Sequence, residues 1–61
     1  MEKFDVVEVN METSVVKMMG FNKDEKNAEA ILKFALMRRG GDDVFYSVEP
    51  AGIYRDGDKF K

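Results

Sequence analysis

The stretch "NKDEKNAEAILKFALMRRGG", residues 22–41, decides the fold because it combines the start, body and stop signals of a helix. Asn22 and Glu25 have the spacing of a capping box, with acidic residues at the positive end of the macrodipole. Alanine, leucine and methionine, which are strong helix formers, fill the middle. Arginines and then a glycine pair close the stretch, as is typical of a helix C-terminus. The sequence therefore predicts one helix over residues 22–41.

The apolar residues of this helix occupy more of its circumference than one sheet can cover. At about 100° per residue, one continuous face is expected to pack on the sheet; it comprises Ala28, Ile31, Leu32, Ala35 and Leu36. A second apolar arc lies beyond a polar stripe that contains Glu29 and Lys33. This second arc consists of Ala30, Phe34 and Met37. Such residues are either flanking core or a surface that a partner chain or a second copy covers.

Two segments before the helix are candidates for strands. Residues 3–11, "KFDVVEVNM", have β-branched residues and two partly apolar faces, which predicts a central or doubly covered strand. Residues 13–19 fit a second strand, which the first strand needs as a neighbour. The same residues also fit a short first helix, because Val15, Val16, Met18 and Met19 recur at helical spacing.

Residues 42–50 alternate with period two, and Pro50 and Gly52 predict a turn after them. Residues 53–60 contain Asp56-Gly57, the favoured pair of a two-residue hairpin, in a register that pairs Ile53 with Phe60. The predicted fold is one α+β domain spanning residues 1–61. It has a single helix on an antiparallel sheet, in the order β-β-α-β-β(β), with the short first helix as the alternative to the second strand.

Composition excludes several classes of function. The chain has 61 residues without cysteine or histidine, so we expect no disulfide, no structural zinc site and no cofactor. Acid pairs such as Asp56 and Asp58 are interpreted as turn residues, and we expect no metal site and no enzyme activity. The acidic N-terminus lacks the apolar segment of a signal peptide, and no apolar run could span a membrane. A cytoplasmic protein without membrane contact is expected.

Three kinds of partner remain. The favoured hypothesis is contact with another protein or with a second copy, through an apolar centre and a basic border. The residues predicted for this contact are Ala30, Lys33, Phe34, Met37, Arg38 and Arg39. The alternative is single-stranded nucleic acid, RNA above all, held by aromatic and basic side chains. The residues predicted for that alternative are Phe45, Tyr54, Arg55 and Lys59.

The net charge of −2 argues mildly against nucleic acid, since dedicated binders usually have a basic excess.

In general outline, the chain resembles the short accessory proteins of bacteria and their phages, which are likewise small, acidic and free of cysteine. That resemblance implies a protein that binds a partner protein and inhibits or adapts it. A structural subunit of a larger assembly is the third hypothesis.

Overall fold

The computed structural model describes residues 2–38 and 43–61. Its elements are β1 (Phe4–Asn10), β2 (Val16–Lys23), α1 (Glu25–Met37) and β3 (Val44–Pro50). In this part of the chain the strands form one antiparallel sheet in the order β2-β1-β3, and α1 packs on one of its faces. This confirms the α+β class with one helix on an antiparallel sheet. No helix within the described ranges has the length and apolar character to cross a membrane.

The central strand β1 is covered on both faces, as its sequence predicted. Val7 and Val9 are buried on one face, where Val16 and Met18 of β2 complete an apolar cluster. On the other face Val6 lies in register with Gly20 of β2 and Val48 of β3. Here Ile31 of α1 approaches so closely that a Cβ on Gly20 would lie 2.8 Å from its Cδ1 atom. The missing side chain at Gly20 therefore lets α1 pack closely on β2.

Residues 16–23 form a strand and not the alternative short helix. The preceding turn is held by Asn10, whose Oδ1 accepts hydrogen bonds from the backbone N–H of Glu12 (2.8 Å) and of Thr13 (3.1 Å). Ser14 has a positive φ of 61° in the same turn. An Asn side chain that mimics a turn thus replaces the Asn-Gly pair that the sequence lacks. β2 then pairs with β1 along its length, with register shifts on both sides of Val6.

The helix is shorter than the predicted span of 22–41, and its cap is Asp24. The carboxylate of Asp24 accepts a hydrogen bond from the backbone N–H of Asn27 over 2.8 Å. The predicted capping box at Asn22 is wrong, because Asn22 is still part of β2 and has a φ of 52°. At the other end Arg38 is the C-cap and donates its backbone N–H to the carbonyls of Phe34 and Ala35. The predicted glycine stop lies outside the described residues.

The predicted C-terminal hairpin is also wrong, so the sheet formed by the described residues has three strands where the prediction had four or five. The turn itself exists, with Asp58 donating its N–H to the carbonyl of Arg55 over 3.0 Å and Gly57 at φ 88°. A type I′ turn needs a positive φ at both central residues, and Asp56 does not have one. When only the second central residue has a positive φ, the turn does not match the twist of paired strands. The chain segments before and after it then diverge.

The chain after this turn pairs with the outer edge of β2. Val16 donates its N–H to the carbonyl of Asp58 over 2.8 Å, and Phe60 donates to that of Ser14 over 2.7 Å. Lys59 forms an isolated antiparallel bridge with Val15. The segment therefore satisfies backbone groups on an edge strand. It also brings the Phe60 ring onto the cluster of Val7, Val9, Val16 and Met18, which we call the valine cluster.

Candidate functional site

The outer side of α1 has a surface of apolar side chains that the described residues leave uncovered. Ala28 and Ala35 turn towards the sheet and are buried. Phe34 is 60% exposed and Met37 is 85% exposed, and Ala30 is exposed as well. Met37 follows Ala35 by two residues, or about 200°, and so points away from the sheet. We call Ala30, Phe34 and Met37 the outer apolar surface.

Two cationic side chains border this surface. The guanidinium carbon of Arg38 lies 5.2 Å from the centroid of the Phe34 ring, within the range of a cation–π contact. Lys33 is exposed on the neighbouring turn of the helix. The predicted residues of this surface that the structure describes are thus brought together on one side of α1. Arg39, the sixth predicted residue, lies outside the described ranges.

Leu36 corrects the predicted division of the helix into two faces. It was expected to pack on the sheet, yet it is 49% exposed. Ala28 and Ala35 mark the centre of the buried face, and Leu36 is turned about 100° from Ala35. A sheet of three strands does not reach far enough around the helix to cover that flank. Leu36 therefore adds apolar area to the exposed side of α1.

The aromatic residues of the nucleic-acid hypothesis are used in packing. Phe45 meets Phe60 edge to face with ring centroids 5.4 Å apart, and Tyr54 stacks on Phe60 at 5.3 Å. All three rings are half-buried and pack against the valine cluster on the sheet face opposite α1. The rings therefore share their faces with each other, whereas single-stranded nucleic acid requires faces that are open for stacking.

The basic residues of the same hypothesis have different surroundings. The Lys59 ammonium donates a hydrogen bond to the backbone carbonyl of Thr13 over 2.8 Å. Arg55 is exposed, and its backbone N–H donates to the carboxylate of Asp58 over 2.8 Å. The neighbouring carboxylate of Asp56 accepts from the backbone N–H of Met18 over 2.6 Å. Acidic side chains thus surround Arg55 in this turn, and the Lys59 ammonium is already bonded to a backbone carbonyl.

Phe21 is a large exposed side chain that belongs to neither set of predicted contact residues. It belongs to the edge strand β2, next to Asn22 with its positive φ. The register between β1 and β2 shifts in this region. Simple alternation along a strand cannot assign a face through such an irregularity, so the sequence held no clear signal for the exposure of Phe21.

A shallow groove runs beside the first half of α1, with an apolar floor and an acidic rim. It is lined by Glu2, Phe4, Glu25, Glu29, Leu32 and Val48. In the ranges 2–38 and 43–61, no group of three or more acidic side chains has an arrangement that could hold a metal ion.

Comparison of the chain with protein-family models, curated proteins and solved structures gives no match. The geometry of α1 is therefore the basis for a functional proposal.

Proposed function

We propose that this chain is a small non-catalytic accessory protein that binds another protein through the outer apolar surface of α1. The exposure of Phe34 and Met37 is the observation that supports this proposal. Inhibition or adaptation of a cytoplasmic partner is the role that such a surface would serve. Contact residues of this kind are needed for the partner and not for folding of the chain itself.

The energetics favour a contact at this place. Fully burying a phenylalanine or methionine side chain contributes about 1.5–3 kcal/mol. Phe34 and Met37 do not gain most of that free energy within the chain, because both side chains lie away from the buried face of α1 and stay largely exposed. The Arg38 guanidinium carbon lies 5.2 Å from the centroid of the Phe34 ring. An exposed aromatic with an adjacent arginine has the composition of an interface hot spot.

Affinity capture from the native cell with matched variants tests the proposal. We expect Phe34→Asp and Met37→Asp to lose the partner while their circular dichroism and melting temperature stay close to those of the unmodified chain. Ile53→Asp is the matched control, because Ile53 is 54% exposed and belongs to the segment after β3, outside α1. It should retain the partner.

A second control separates contact from core. A charge at Ile31, which is half-buried against Gly20, should unfold the chain. If Phe34→Asp unfolds the chain in the same way, the outer apolar surface is core and the proposal fails. It also fails if both surface variants capture the same proteins as the unmodified chain. Large closed oligomers in light scattering would instead favour a structural subunit.

A further inference from the structure

We infer that the groove beside the first half of α1 binds an arginine-bearing, apolar segment of a partner protein. This inference goes beyond the proposed function, because the groove and the outer apolar surface lie on different sides of the helix. Glu25, Glu29 and Leu32 line the groove and fall within about 60° of one another around the axis of α1. Phe34 points at least about 140° away from each of them. A segment held in the groove therefore makes a second, separate contact.

The floor of the groove is apolar and is built from three elements. Phe4 comes from the start of β1, Leu32 from α1 and Val48 from β3. All three side chains are half-buried, so part of each remains open to a ligand. The groove has a volume of about 450 Å³, within the range of about 300–1,000 Å³ that is usual for binding clefts. Because it is shallow, it encloses a small molecule poorly and suits the side chains of a longer segment.

The rim of the groove is acidic. It consists of Glu2, Glu25 and Glu29, and none of the residues that line the groove is basic. No lysine or arginine of the described ranges forms an ion pair with these carboxylates. Glu25 also stabilises the start of α1 through the macrodipole, but Glu29 lies beyond the first turn and Glu2 precedes β1. Like charges around one groove repel one another, and a cation bound between them would relieve that repulsion.

Two lysines lie near the groove without reversing its charge. Two hollows adjoin the groove and share Glu2 and Phe4 with it. One of them adds Asp24 and Lys26, and the other adds Lys3. The whole region therefore has four acidic side chains against two basic ones. This excess of negative charge selects a basic segment, and the groove without bases is where its cation binds.

Arginine fits this combination of floor and rim better than lysine does. Its guanidinium can donate two hydrogen bonds to one carboxylate, and its flat face packs on aromatic rings. Its aliphatic stem can also lie along an apolar surface while the charged group stays at the rim. The ring of Phe4 and the carboxylates of Glu2 and Glu25 offer both kinds of contact in one groove. The rim charges set orientation and specificity, and the apolar floor supplies the affinity.

Leu36 extends the apolar floor along the helix. It lies one turn after Leu32 on the same flank of α1, and it is 49% exposed. The apolar strip therefore continues past the groove towards the end of α1. A large apolar side chain that follows the arginine of the bound segment would cover Leu36. The ligand is thus a chain segment with both kinds of side chain, and a single cation would leave this strip uncovered.

Fluorescence anisotropy with a short labelled peptide of alternating arginine and leucine tests the inference on the full chain. The peptide should bind, and its affinity should fall as the salt concentration rises. Glu25→Gln and Glu29→Gln should each weaken binding by about twofold to fivefold. Leu36→Asn should weaken it by about fivefold, because a leucine contact is lost. Circular dichroism and the melting temperature of each variant establish that it is folded.

Two variants and a second peptide are the controls. Glu12→Gln removes an exposed carboxylate from the turn before β2, and Phe34→Ser changes the outer apolar surface. Both variants should bind the peptide as the unmodified chain does. If they weaken binding as much as the groove variants, the peptide responds only to net charge and the inference is overturned. Equal binding of a peptide of alternating arginine and serine would overturn it too, because the apolar floor would then take no part.

The two proposals fail in different ways. Absence of peptide binding at low salt overturns the inference about the groove and leaves capture through Phe34 and Met37 unaffected. Peptide binding together with capture that does not depend on Phe34 supports the groove and contradicts the proposed function. Dimerisation of the chain in sedimentation that Glu29→Gln abolishes would show that a second copy occupies the groove. That result would overturn the assignment of the groove to a partner protein.

Discussion

The carboxylate of Asp5 accepts a hydrogen bond from the backbone N–H of Asn22 over 2.7 Å. Its other oxygen accepts from the N–H of Gly52 over 3.1 Å, and the residue is only 4% exposed. Asn22 lies where the register between β1 and β2 shifts, so its N–H does not join a regular ladder. One buried side chain on the central strand therefore ties an irregular end of β2 to the turn after β3.

This relationship predicts that Asp5→Ala destabilises the chain by about 2–4 kcal/mol, because it leaves two backbone donors without their acceptor. Asp5→Asn should cost less, since one oxygen can still accept. Urea unfolding measures both values. Glu12→Ala, at an exposed site, is the control and should change the unfolding free energy by less than about 0.5 kcal/mol. Equal values for Asp5→Ala and this control would contradict the role of the carboxylate.

The Phe60 ring predicts that the C-terminus contributes to stability. It contacts the rings of Phe45 and Tyr54 and packs against the valine cluster. Phe60→Ala should lower the free energy of unfolding by about 2–3 kcal/mol, somewhat less than for a fully buried phenylalanine. Thermal unfolding of Phe60→Ala beside Ile53→Ala measures the difference. Similar melting temperatures for the two variants would show that the terminal segment adds nothing to the core.

The close approach at Gly20 predicts a compensating pair. A methyl group there would lie 2.8 Å from the Cδ1 atom of Ile31, so Gly20→Ala must displace that side chain or the helix. We expect a cost of about 1–2 kcal/mol from overpacking. Ile31→Val removes the clashing carbon and should recover part of that cost in the double variant. A double-mutant cycle by denaturant unfolding provides the test, and strictly additive effects would argue against the contact.

The ring packing also yields a prediction for nucleic acid. Because Phe45 and Tyr54 are half-buried against Phe60, we expect no saturable binding of short single-stranded oligonucleotides, even at low salt. Fluorescence titration at two salt concentrations is the measurement. Binding that weakens with salt and is lost in Arg55→Ala would instead restore the nucleic-acid hypothesis.

Local patterns in the sequence were sufficient for much of the fold. The alternation around Val6, Val7 and Val9 indicated a strand covered on two faces, and these residues are buried in the centre of the sheet. The helix was predicted because its formers and its acidic start are local signals. The width of its apolar arc indicated that Phe34 and Met37 lie away from the face that packs on the sheet, and both are exposed. Whether that arc is an interface stays a prediction.

The sequence by itself determined the helix, its excess of apolar side chains and the central place of β1, because each depends on residues a few positions apart. Only the tertiary structure decided the helix cap, the exposure of Leu36 and the destination of residues 57–60. Asp56-Gly57 supports more than one turn type, and the choice depended on partners that are distant in the chain. The unsatisfied edge of β2 and the rings near Phe60 stabilised pairing with β2 over a local hairpin.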